Sequence, residues 1–142
     1  MRALPARKAF TLAELLIAVT IVAVLVSFAV PRYQTTMEQA HLNFAASRLR
    51  CIATAQRLYH AENDTFAGNL STLVTAELLT TNLTTDSSNY SFTVDSADTT
   101  SFSISASRLS HTVWSGTISI TESGTMTGSI TNGSRVITPS TS

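Results

Sequence analysis

KAFTLAELLIAV, residues 8–19, leads an apolar stretch into which a single carboxylate, Glu14, is set. The stretch runs from Phe10 to Val30, 21 residues whose other polar members are Thr11, Thr20 and Ser27. As an α-helix it would measure roughly 31 Å, close to the hydrocarbon thickness of a bilayer. Arg2, Arg7 and Lys8 precede it with no acid among them. Such a basic flank keeps the N-terminus cytoplasmic and sends the downstream chain across the membrane. A charged acid inside the span costs about 2.5–3.5 kcal/mol on insertion scales, so Glu14 needs a cationic partner or an interfacial position.

Outward from this stretch, Pro31 removes one backbone donor and predicts a kink. The helical period then resumes. Leu42, Ala45, Ala46, Leu49, Ile52, Ala53 and Tyr59 recur at spacings of three and four, while Arg48, Arg50, Gln56 and Arg57 fall largely elsewhere around the axis. No glycine occurs before Gly68. The pattern predicts one long bent helix: a membrane-spanning half over residues 10–31 and an amphipathic half over 32–61. A loop over 62–89 comes next, with a short helix from Leu70 to Leu79 capped by Ser71. From residue 90 the period becomes two. Tyr90, Phe92 and Val94 alternate with hydroxyl residues, as do Phe102, Ile104 and Ala106, and Val113, Ile118, Ile120 and Met126 continue the series. TESGT, residues 121–125, reads as a hairpin turn, and Val136 and Ile137 as an edge strand. The final ITPSTS is expected to fray. The fold class is therefore α+β, an antiparallel sheet over 90–138 covered on one face by the amphipathic half of the helix.

Composition narrows the function. Charged residues make up 13% of the 142, and the formal net charge is zero. Of nine basic residues three lie in 1–9, so the remaining chain has six against nine acids. That balance argues against a nucleic-acid surface. The region beyond Thr65 is rich in Ser and Thr and lacks Lys, which suits an exported protein. Cys51 is the one cysteine and reads as a small apolar helix residue. His41, His60 and His111 are dispersed, and neither HExxH nor GxSxG occurs. His60, Glu62 and Asp64 lie together, but such a trio on a loop reads as solvated rather than metal-binding. Neither an enzyme nor a cofactor is expected, and Trp114 reads as a sheet-packing residue.

The N-terminus admits three readings. One is a secretory signal peptide, with Ser27-Phe28-Ala29 as its small-x-small cleavage site. A second is a plain single-span anchor. The third rests on a resemblance: KAFTLAELL is similar to the leader junction of type IV pilins and of their relatives, the pseudopilins of type II secretion. The resemblance implies cleavage by a prepilin peptidase between Ala9 and Phe10, releasing residues 1–9 as a leader, and N-methylation of Phe10. It makes Glu14 the fifth mature residue and Pro31 the twenty-second, both matching the family pattern. Ala9 stands where the family usually has Gly, and Cys51 has no partner for the disulfide that staples many pilin heads.

The resemblance also implies a role for Glu14. Cleavage would free an α-amino group at Phe10, and the Glu14 carboxylate of one subunit could meet the Phe10 ammonium of its neighbour inside a filament. A shifted neighbour would leave both charges unpaired at low dielectric, so the pair would set the axial register. The apolar surface from Leu15 to Val30 would supply most of the association energy. Pro31 would let the helix unwind locally. The expected partners are copies of the chain, the peptidase, an inner-membrane assembly machinery and, before assembly, lipid. The expected locations are the bacterial inner membrane, then a surface pilus serving adhesion, motility or DNA uptake, or a periplasmic pseudopilus. A pseudopilin, and a secreted or singly anchored binding domain, stand as alternatives.

Overall fold

The computed structural model describes residues 10–82, 89–109 and 113–140. Its chain divides into two units, residues 1–37 and 38–142. The first helix, α1, spans Leu12–Asn63 and contributes to both. It runs on through position 31, so the missing proline N–H does not end it.

In the first unit the described side chains of α1 stand almost wholly exposed, among them Leu15, Ile17, Ile21, Leu25 and Phe28. The polar groups of this stretch fold back onto their own helix. Thr20 Oγ1 donates to Ile17 O at 2.8 Å and Ser27 Oγ to Val24 O at 2.7 Å. From Leu15 to Val30 the described outward surface is almost wholly hydrocarbon.

The second unit is the head. Here α1 turns Leu42, Ala45, Ala46, Leu49, Ile52 and Ala53 into the core, the face that the three–four spacing predicts. The helix ends where Asp64 adopts a left-handed φ of 55° and its N–H reaches His60 O. A short helix α2, Leu70–Thr75, comes next. Its N-cap is Asn69 rather than Ser71: Asn69 Oδ1 accepts from Thr72 N at 2.9 Å and from Ser71 Oγ at 2.6 Å. This helix stops short of the expected Leu79 because Glu77 turns left-handed, with φ 57°. The chain reverses there, and Leu78 and Leu79 donate their N–H groups to Leu73 O. Leu79 is thereby delivered into the core.

Five strands complete the head: β1 Tyr90–Ala97, β2 Phe102–Arg108, β3 Ser115–Thr121, β4 Met126–Asn132 and β5 Arg135–Ile137. They form an antiparallel meander in the order β1-β2-β3-β4-β5. The TESGT turn joins β3 to β4 as expected, and Val136 and Ile137 lie on the edge strand β5. Inward-facing Tyr90, Phe92, Phe102, Ile104, Ala106, Ile118, Ile120, Ile130 and Ile137 pack in one cluster with the buried face of α1. Each fully buried Leu, Ile or Phe contributes about 1.5–3 kcal/mol. Trp114 joins this cluster, but Val113 does not; it is 76% exposed, because β3 begins only at Ser115.

The outward face of the sheet is built from hydroxyls. Register aligns Ser91, Ser107, Thr117 and Ser129 in one row and Thr93, Ser105, Ser119 and Thr127 in the next. Neighbours bond laterally, as in Thr93–Ser105 at 3.0 Å and Ser119–Thr127 at 3.0 Å. A bulge at Asp95 interrupts β1, and its carboxylate accepts from Ser105 Oγ at 2.8 Å.

Two placements, one arginine and one glutamine, differ from the expected polar face of α1. Gln56 is fully buried; its Nε2 donates to Ala67 O and its Oε1 accepts from Ala67 N, each at 2.8 Å. Arg48 is 8% exposed and lies over the Phe44 ring at 4.6 Å. The three–four pattern carries no trace of either role, because it records polarity and not the groups that packing brings to each side chain. Thr138–Ser140 do not fray: Gln39 Nε2 donates to Thr138 O at 2.9 Å and Arg50 Nη2 to Ser140 O at 3.0 Å.

Candidate functional site

The start of α1 is built by Phe10, Thr11 and Glu14. Thr11 precedes the first helical residue and Glu14 lies in the first turn, where the helix dipole favours a negative charge. Thr11 N and Thr11 Oγ1 both donate to Glu14 Oε2 at 3.1 Å, and Glu14 N donates to Thr11 Oγ1 at 3.2 Å. This reciprocal arrangement is a capping box, Thr-x-x-Glu, which satisfies backbone donors that a helix start leaves open. Among the described residues, Glu14 Oε1 carries no hydrogen bond. The carboxylate therefore has one oxygen committed to its own helix and one turned to its surroundings. Phe10, 80% exposed, stands just ahead of the cap.

The four residues singled out from sequence are unequally served. Phe10 and Glu14 are brought to the same helix end. Ala9 lies outside the described residues, as does the side chain of Pro31. Thr11 enters the sequence reading only as part of the KAFTLAELL motif; its capping role goes unread there, although Thr-x-x-Glu ahead of an apolar run is a readable helix-start signal.

The head offers a second polar centre, at the start of its part of α1. Glu38, 4% exposed, receives Arg108 in a two-pronged contact: Nε to Oε1 at 2.7 Å and Nη2 to Oε2 at 3.0 Å. Tyr90 Oη donates to the same Oε1 at 3.2 Å, and Arg108 Nη1 donates to Asn89 O at 2.8 Å. Burial, then the Glu38 carboxylate, push the Tyr90 phenol well above its ordinary range. This network ties α1 to β1 and β2, and every member is used in the tie.

The histidines are similarly occupied. His60 Nε2 lies 2.9 Å from Thr99 O and its ring stacks on Phe66 at 4.3 Å. His41 Nδ1 lies 3.3 Å from Asn89 Nδ2, and His111 falls outside the described residues. Asp98 holds the β1–β2 turn, accepting from the backbone N–H groups of Thr100 and Ser101. Those two bonds hold its carboxyl down to about 2. Among the described residues no three His, Cys, Asp or Glu side chains gather as a metal site would require.

Residues 4–30 match the family model of the prokaryotic N-terminal methylation motif. Residues 31–116, more than half of the chain, match that of the type IV minor pilin ComP, DNA uptake sequence receptor. This chain belongs to the type IV pilin family. A similar pilin is the type IV wide pilus major component PilA4 of Thermus thermophilus, 28% identical over 107 residues that cover 75% of this chain and 78% of the relative. The pilin family is structural rather than enzymatic, and it implies self-assembly into filaments and processing by a prepilin peptidase. The exposed apolar half of α1 fits a pilin that is anchored in a membrane and then built into a pilus at the cell surface.

Proposed function

We propose that the chain is a pilus subunit, inserted in the bacterial inner membrane with its N-terminus cytoplasmic, cut between Ala9 and Phe10, N-methylated at Phe10 and polymerised through α1. The observation that carries this reading is the half-satisfied carboxylate of Glu14 at the tip of an apolar, exposed helix. Lipid covers that helix before assembly and neighbouring copies cover it afterwards. Before cleavage the nitrogen of Phe10 is an amide and carries no charge, and two cations, Arg7 and Lys8, precede it in the sequence. After cleavage it is an ammonium that can meet Glu14 Oε1 of a neighbour. Proteolysis thereby switches on an ion pair whose loss at low dielectric costs about 3–5 kcal/mol. Pro31, with no N–H to give, marks where the helix can unwind as subunits pack.

A DNA-receptor role, which the name of the matched minor-pilin model suggests, finds less support. Arg48 and Arg108 are buried, Arg50 and Arg57 donate to the carbonyls of Ser140 and Glu122, and the exposed Arg32 and Arg135 lie far apart in the sequence. A phosphate-binding stripe would need such cations on the surface and uncommitted. A pseudopilus subunit shares the same N-terminal chemistry and is separated from a pilus subunit by filament length in cells.

Intact-mass measurement of the mature protein tests the reading. The expected species begins at methylated Phe10 and is recovered in filaments. A species beginning at Val30, after signal-peptide cleavage at Ser27-Phe28-Ala29, would contradict it.

A further inference from the structure

Between the last turns of α1 and the short helix α2 lies an open cleft that no role described so far uses. Its volume is about 330 Å³, and Tyr59, Ser71, Thr72, Thr75 and Ala76 line it. A cavity of that size stands at the lower end of those that hold small molecules. Both walls are fixed. Gln56 bonds twice to Ala67 in the connection between the two helices, and Leu73 of α2 is fully buried. The N–H groups of Leu78 and Leu79 close the far end of α2 onto Leu73 O. Little order is left to be paid for when a ligand enters.

The wall chemistry is one-sided. Ser71 Oγ and Thr72 Oγ1 both donate to Asn69 Oδ1, at 2.6 and 2.9 Å, and Thr75 Oγ1 donates to Ser71 O at 2.9 Å. A hydroxyl has one hydrogen, so these three oxygens have only lone pairs left to offer. Tyr59 supplies the opposite kind of group. Its ring packs against the core of the head, and its phenol has no hydrogen-bond partner among the described residues. A phenol partly withdrawn from water usually finds one. No charged side chain is among the lining residues, so an ionic ligand would give up hydration and gain no counter-charge. The complementary ligand is uncharged, carries several O–H donors on a small frame and has an apolar face for Tyr59 and Ala76.

We propose that the cleft binds a neutral saccharide, whose hydroxyls donate to Ser71, Thr72 and Thr75 and accept from Tyr59 Oη. The site lies wholly within the head, so this inference goes beyond the filament reading and does not depend on it.

Saturation-transfer NMR tests the site, on the full-length chain in lauryldimethylamine oxide, a detergent without a sugar headgroup. The probes are methyl galactoside, methyl mannoside and N-acetylglucosamine. At least one is expected to receive saturation at its ring protons. Tyr59→Phe keeps the aromatic ring, and Thr75→Val keeps the shape of an exposed residue. Each is expected to weaken binding about fivefold, the loss of one neutral hydrogen bond. Thr54→Val, which removes an α1 hydroxyl outside the cleft, is expected to leave binding unchanged. Saturation of none of the three sugars would overturn the proposal, and so would saturation unmoved by both cleft substitutions. A stronger response from ethylammonium, lost in the same two variants, would overturn the assignment of a neutral ligand.

Discussion

At Glu14 one side chain closes its own helix and, in the proposed assembly, would also meet a neighbour. Oε2 closes the capping box while Oε1 stays open. The two roles separate by mutation. Thr11→Val removes the cap and keeps the carboxylate, so it is expected to cost about 1 kcal/mol of helix stability and to leave filament yield within about twofold, read by pelleting of sheared filaments. Glu14 itself is legible in the sequence because an acid in an apolar run is conspicuous. Its bond to Thr11 is readable from the Thr-x-x-Glu spacing, whereas the oxygen that the bond leaves open is not. At Gly128 the backbone has φ +101°, and a Cβ there would collide with Thr117 O. The alternating pattern hides this position, since a glycine adds nothing to an apolar period. Gly128→Ala is expected to lower the thermal unfolding midpoint of the full chain in detergent, with about 1–3 kcal/mol lost to strain alone.

Among the elements, α1 is largely legible, since its buried face is set directly by the spacing of Leu42, Leu49 and Ile52. The strands are equally so, because hydroxyl and apolar residues alternate cleanly. Tertiary context escapes sequence reading. Gln56 is buried because Ala67 offers both a donor and an acceptor, and Thr138 and Ser140 are held by Gln39, Asn43 and Arg50. Glu38 and Arg108, 70 positions apart, could not be paired from sequence. Arg108→Met should strand a buried carboxylate and cost about 3–5 kcal/mol, whereas Glu38→Leu with Arg108→Met should recover most of that loss. Thermal unfolding of the single and double variants measures the difference. The fold raises the Tyr90 phenol, so it favours the neutral form; that contribution is complete below pH 10.0 and is lost as pH rises above it. Asp98 behaves in the opposite sense. Its carboxyl is held below the usual 3.8, so its contribution is present above that value and lost as pH falls towards 2. Unfolding midpoints scanned against pH should therefore fall at both ends, with Tyr90→Phe flattening the alkaline limb.

For the whole molecule, two kinds of surface are at work. Between Leu15 and Val30 the first unit exposes hydrocarbon, with the Thr20 and Ser27 hydroxyls spent on their own helix's carbonyls. The head buries a single apolar cluster beneath a sheet whose outward rows are Ser and Thr. Low charge and abundant hydroxyls in the sequence foretell the second surface, and the 21-residue apolar run foretells the first. The central claim joins them in a filament through a charge pair that exists only after cleavage. Its most direct measurement is the filament yield of Glu14→Gln, because glutamine preserves the capping box and removes the charge. A loss of about 3 kcal/mol per contact, roughly 100-fold in subunit association, is expected, with membrane insertion and cleavage intact. Filaments at wild-type yield from that variant would contradict the claim.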